Sequence, residues 1–243
     1  MTASRTLRGY VSAAARRLRR LTGRKAEIDY RRWYANWDLK RDYWSIVGPS
    51  TKEEYDQLGL AKRQLLIQLG LTPDAKVLDV GCGTGQLTAA LHDYLSDSGL
   101  YCGTDISPEA VAFCRARFRR PNFSFAVSRM TTLPTLRERF HFIVFYSVFT
   151  HTYPRETVLL LVEANRLLAD GGVIFADLFA APLVDQFAGD RGLMEVNPDP
   201  LLRTLDASGL RAEAVMVHPG ERLSQRVFYK ITRKPSATND NNG

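Results

Sequence analysis

The sequence predicts an α/β fold: a doubly wound, mainly parallel sheet that ends in an antiparallel hairpin and is preceded by a helical cap. Three observations predict it. Strand-like and helix-like runs alternate from residue 76 to residue 178, which requires crossover connections and therefore parallel neighbours. A glycine-rich loop joins the first of these strands to its helix. Near the C-terminus, alternating runs at 211–218 and 226–232 flank Pro219-Gly220, the pattern of a hairpin.

The elements follow in chain order. Residues 1–26 carry eight arginines and lysines and no acid, so the remainder has a net charge of −1 although the whole chain carries +7. Leu7, Val11, Ala14, Leu18 and Leu21 recur at intervals of four and three, one face of a basic helix. Such a segment suits peripheral contact with an anionic membrane, a presequence or a solvated extension. Residues 27–60 form an aromatic-rich helical cap with Tyr30, Trp33, Tyr34, Trp37, Tyr43 and Trp44, all three tryptophans included. The cap either packs onto the domain or closes over a cationic ligand, which aromatic faces attract. Ser50 or Thr51 can cap the next helix, whose early acids Glu53 and Glu54 suit its positive end. Leu58, Leu60, Leu65, Leu66 and Leu69 supply its apolar residues. Then come strands at 76–80, 100–104, 123–127, 141–147 and 172–178, with helices at 85–95, 108–118 and 155–169. Residues 61–234 form the main domain, and 235–243 a polar tail expected to be disordered.

With 243 residues and 45% apolar content the chain can bury one full core. Its near-neutral body gives no electrostatic reason to expect a nucleic acid. Cys82, Cys102 and Cys114 are odd in number and lack metal-ligand spacing, so no metal or disulfide is expected and a reducing cytoplasm fits.

The loop carries the functional signal. Leu78-Asp79-Val80-Gly81-Cys82-Gly83-Thr84-Gly85 removes three side chains, so a ligand can lie against backbone beneath a helix N-terminus. Asp105 closes the next strand twenty residues after Gly85, where a carboxylate can accept from both hydroxyls of a ribose. The ligand therefore contains adenosine. The spacing G-x-G-x-G departs from the dinucleotide pattern G-x-G-x-x-G, and Asp79 would repel a pyrophosphate while suiting an amino group or a sulfonium.

These residues resemble the first motif of the class I S-adenosylmethionine-dependent methyltransferases, and Asp105-Ile106 resembles their second. Residues 140–150 are similar to that family's fourth strand, and Leu167-Leu168-Ala169-Asp170-Gly171-Gly172 to its turn into strand five. The resemblance implies seven strands with the last antiparallel, and S-adenosylmethionine as cofactor. It places Asp79, Gly81, Cys82, Gly83 and Gly85 under the methionine part, Asp105 on the ribose and Ile106 on adenine. Tyr146 lies at the end of strand four, beside methionine and acceptor. Two departures stand out. Arg129 occupies the place of the acid that accepts from the adenine amino group, which leaves backbone, with Met130 as donor, to hold the base. His141 replaces the acid that commonly begins strand four.

The acceptor side is read more coarsely. His151, directly after strand four, lies at the expected mouth of the site, where a histidine can take a hydroxyl proton or serve only to cap the following helix. His92, His141 and His218 are weaker candidates. The segment 177–200 exceeds a usual connection and mixes aromatics with polar residues, which suits a small-molecule or glycan acceptor. Expected, then, is transfer of a methyl group to such an acceptor, with oxygen favoured. The competing readings are a non-catalytic scaffold that keeps the cofactor fold, which Arg129 favours, and a nicotinamide oxidoreductase, which the glycine spacing, Asp79 and the hairpin disfavour. The oligomeric state is not readable.

Overall fold

The computed structural model describes residues 29–182, 184, 187–219 and 224–235. The basic segment 1–26 and nearly all of the tail lie outside the described residues. Helices α1 (Tyr30–Trp33) and α2 (Leu39–Asp42), each followed by a single 3-10 turn, make the cap, and α3 spans Lys52–Gln68. Thr51 caps α3 by accepting from the Glu54 amide at 3.1 Å. This helix runs unbroken through residue 60, where the sequence reading divides cap from domain. The chain continues through β1 (Lys76–Val80), α4 (Gln86–His92), β2 (Leu100–Asp105), α5 (Pro108–Arg117), β3 (Phe123–Val127), β4 (Phe140–Phe145), α6 (Pro154–Leu167) and β5 (Leu168–Ala180). It ends with β6 (Phe187–Asp190), β7 (Leu193–Val196), α7 (Pro198–Ala207), β8 (Leu210–Pro219) and β9 (Gln225–Arg233).

The strands pair in the order β3-β2-β1-β4-β5, all parallel, and β5 then pairs antiparallel with β9, which pairs with β8. Those seven strands are the expected sheet. Two more extend it: β6 and β7 form a short antiparallel hairpin whose second strand runs parallel to the end of β5 at Phe179 and Ala180. The sequence reading has this stretch as an irregular connection, because four-residue strands around a turn give too short a pattern to recognise.

Alternation along the central strands sends side chains to two cores. Leu78, Ile143, Phe145 and Ile174 meet Leu161 and Leu167 of α6 on one face. Val77, Phe142, Val144 and Phe175 meet Leu66 of α3, Leu91 of α4 and Val111 of α5 on the other. Helices on both faces explain why these strands are nearly continuous in apolar residues. Leu58 and Leu60, by contrast, are largely exposed. The buried stripe of α3 runs through Tyr55, Gly59 and Leu66 instead. Gly59 is required there, since a Cβ would lie 2.7 Å from the Gln86 carbonyl oxygen at the start of α4.

Candidate active site

The carboxyl ends of β1, β2 and β4 open on a cavity of about 370 Å³, roofed by the cap. Its floor is the glycine loop. Gly81 (φ 77°) and Gly83 (φ 54°) take backbone conformations that disfavour side chains. The amides of Gly81 and Cys82 donate to the Thr104 carbonyl at 2.7 and 2.9 Å, which ties the loop to β2. A Cβ on Gly83 would lie 3.0 Å from the Tyr34 hydroxyl, so the cap reaches down to the loop itself. Tyr55 holds the same loop from α3, its hydroxyl donating to the Thr84 carbonyl at 3.0 Å. Gly85 serves differently from its neighbours. Its left-handed backbone starts α4, and a Cβ there would strike the Phe118 ring at 2.4 Å, so it packs the turn rather than lining the cavity.

Two buried carboxylates face the cavity. Asp105 accepts from the Gly83 amide on one oxygen and from the Ser107 amide on the other, both at 2.9 Å, and so couples the end of β2 to the glycine loop. Burial pushes its carboxyl up, and these backbone donors hold it down. Asp79, at the end of β1, accepts from the Tyr101 hydroxyl at 2.7 Å, and Thr88 bonds Tyr101 in turn. Burial raises Asp79 to about 6, against the pull of Tyr101 and of Lys62. Sequence reasoning missed Tyr101 and Lys62, whereas it placed Tyr34 in the aromatic cap. Tyr101 is a polar tip amid the apolar register of β2, and Lys62 interrupts the apolar stripe of α3 at helical spacing.

Ile106 and Met130 line one end of the cavity with Ser128 and the exposed Arg129. The Arg129 amide donates to the Thr132 carbonyl, whereas the Met130 amide has no acceptor among the described residues. A backbone donor is therefore available where the family's acid is replaced.

At the other end lie Tyr146, Ser147 and His151. Ser147 is the one non-glycine residue of positive φ (59°) among the described residues. Asp177, fully buried in β5, accepts from its amide at 2.6 Å, and Arg226 of β9 bridges the Asp177 carboxylate and the Ser147 hydroxyl at 2.8 and 2.6 Å. This network holds the strained turn at the end of β4. Of the other histidines, His141 accepts from the Lys76 amide and His92 pairs with Asp93, both outside the cavity.

His151 is gripped from two sides. Its Nδ1 lies 2.8 Å from the Arg191 carbonyl oxygen and 3.0 Å from the Tyr30 hydroxyl, which also donates to that carbonyl. Arg191, in the β6–β7 turn, is fixed by a two-pronged ion pair with Glu156 at 2.6 and 2.7 Å. A carbonyl oxygen only accepts, so the proton of the neutral ring sits on Nδ1 and the lone pair on Nε2. Burial pushes the imidazole below its ordinary range. Cap, insertion and the turn after β4 thus converge on one ring.

These residues fit S-adenosylmethionine: bare loop backbone, one carboxylate for a ribose, and a second carboxylate beside the Lys62 ammonium for an amino acid zwitterion. Comparison with known proteins agrees. A family profile described as a methyltransferase domain matches residues 77–172. Human methyltransferase HEMK2 is 30% identical over 165 residues, covering 63% of this chain and 77% of that protein. The ubiquinone/menaquinone biosynthesis C-methyltransferase UbiE of Psychromonas ingrahamii is 23% identical over 209 residues, 79% of this chain and 82% of that one. Among solved structures, the glycopeptide N-methyltransferase MtfA complexed with S-adenosylmethionine shares the fold with a TM-score of 0.54 at 16% identity, covering 73% of this chain and 88% of that one. The DhpI complex with S-adenosylhomocysteine gives 0.55 at 19%, covering 77% and 90%. The chain belongs to the class I S-adenosylmethionine-dependent methyltransferases.

Proposed function

We propose that the protein transfers the methyl group of S-adenosylmethionine to a hydroxyl of a small-molecule or glycan acceptor, with His151 as the base. The observation that carries this reading is the setting of His151: a half-buried ring whose imidazole is held below its ordinary range, its Nδ1 proton committed and its Nε2 lone pair left as the acceptor of a proton. When bound, the cofactor supplies an electrophilic methyl group on a sulfonium. Asp105 takes the ribose hydroxyls, Asp79 the methionine amino group and the Met130 amide the adenine, while Tyr34 and the cap exclude water from the loop. The Ser147 turn, held by Asp177 and Arg226, shapes the acceptor end, and Nε2 of His151 receives the hydroxyl proton as the oxygen attacks.

The relatives differ in acceptor atom, since one is named for C-methylation and one for N-methylation. The oxygen assignment therefore rests on His151 and not on likeness. An open cavity lined by intact loop and carboxylates speaks against a scaffold role. The β8–β9 hairpin beside β5 speaks against a nicotinamide enzyme. The aromatic mouth, with Tyr30 and Trp33 lining it, favours an acceptor with an apolar body beside its hydroxyl. Incubation with methyl-labelled S-adenosylmethionine and fractionated small molecules and glycans tests the proposal. Label recovered as an ether in one fraction supports it, and label found only on amines or carbon would overturn the oxygen assignment.

A further inference from the structure

Lys62 stands out among the cavity residues because its charge is unmatched. It sits on α3 at the spacing of the buried stripe, seven residues after Tyr55 and four before Leu66, so the helix carries it inward. Among the described residues it forms neither an ion pair nor a hydrogen bond. Its ammonium instead lies 3.8 Å from the centroid of the Tyr146 ring. Aromatic faces attract a cation but do not replace the water it has lost. Burial lowers Lys62 to about 8, against the opposing pull of Asp79 and Asp177, so it stays mostly protonated at pH 7.

A desolvated cation without a counter-ion is a binding site for an anion. The neighbourhood limits which anion. Asp79 lines the same cavity and acts on Lys62 through its charge, yet the two do not pair. A ligand seated between them must present a negative group to one and a positive group to the other. An α-amino acid does so, with both groups on one carbon.

We propose that Lys62 recognises the α-carboxylate of the cofactor's methionine part while Asp79 takes its α-ammonium, so that the site selects an intact amino acid zwitterion. Lys62 is then a specificity-determining residue for the donor. The inference rests on the cofactor assignment and is independent of the acceptor and of His151.

Decarboxylated S-adenosylmethionine, which keeps the sulfonium, ribose, adenine and amine, is the diagnostic probe. Isothermal titration of the full chain should show wild type preferring S-adenosylmethionine by tenfold or more, the size of a charge-assisted contact. Lys62→Met should lose about that factor on S-adenosylmethionine, bind the decarboxylated compound within about twofold of wild type, and so lose the preference. Lys62→Arg should retain it. A thermal melt no lower than wild type would show that Lys62→Met folds. Equal weakening of both ligands, or an unchanged preference, would overturn the proposal. Wild type that binds neither compound would overturn the cofactor pose itself, and this inference with it.

Discussion

His151 Nδ1 lies 2.8 Å from the backbone carbonyl of Arg191, forty residues along the chain. That contact decides which ring nitrogen keeps the proton, and it comes from a hairpin inserted after β5. The insertion therefore does more than wall the acceptor end. It sets the chemical state of the histidine, and Glu156 sets the insertion by pairing with Arg191.

Asp105 holds the loop as well as the expected ribose, so its replacement must separate the two. Asp105→Asn keeps one oxygen for a loop amide and removes the charge. S-adenosylmethionine affinity should fall at least tenfold, since charge-assisted bonds are worth about 1.5–3 kcal/mol. Asp105→Ala should fall further, because the Gly83 and Ser107 amides lose their acceptor. Unchanged affinity in calorimetry would contradict the assigned pose.

Asp79 should trade stability for binding. Its folded-state value of about 6 lies above the ordinary carboxylate value of 3.8, so the folded state binds this proton more tightly. Its contribution to stability is then fully present below about pH 4 and is lost as pH rises through about 6, a cost on the order of 3 kcal/mol. Asp79→Asn keeps an acceptor for Tyr101 and removes the charge. The ligand-free variant should melt several degrees above wild type at pH 8, the gap closing toward pH 4, while its S-adenosylmethionine affinity drops. A lower melting point at pH 8 would show that the charge is not the strained element.

Arg226 neutralises a carboxylate with no exposed side-chain surface. Arg226→Met should cost about 3–5 kcal/mol in urea unfolding at pH 7, since it leaves Asp177 charged and buried. Adding Asp177→Asn should recover part of that loss. Equal costs for the single and double variants would mean that Arg226 acts through its stacking on Tyr146 and Phe228.

What was legible in the sequence is what local chain chemistry dictates. The loop, Asp105 and the strand–helix alternation depend on neighbours within some thirty residues, and their spacing survives in the linear chain. The turn signal at Pro219 likewise marks a hairpin whose strands pair as expected. The grouping of Tyr30, His151 and Arg191 was not legible, because it joins segments 40 to 161 residues apart through one carbonyl oxygen that no side chain announces. Lys62 escaped because a lysine within a leucine-rich helix reads as solvated until the inward face is known. Leu58 and Leu60 misled for the same reason: the stripe is set by Gly59, where α3 meets the loop helix, and not by the leucines.

The account turns on His151, and its pH–rate profile tests it most directly. Once an acceptor is found, kcat/KM of wild type should rise with pH through a midpoint below the ordinary 6.5, because burial lowers the imidazole, and should stay level above it. His151→Ala should lower kcat by ~10²–10⁴ with cofactor affinity unchanged and should lose that limb. A variant that keeps most of its activity from pH 6 to 9 would contradict the account and make His151 a structural link between cap and insertion.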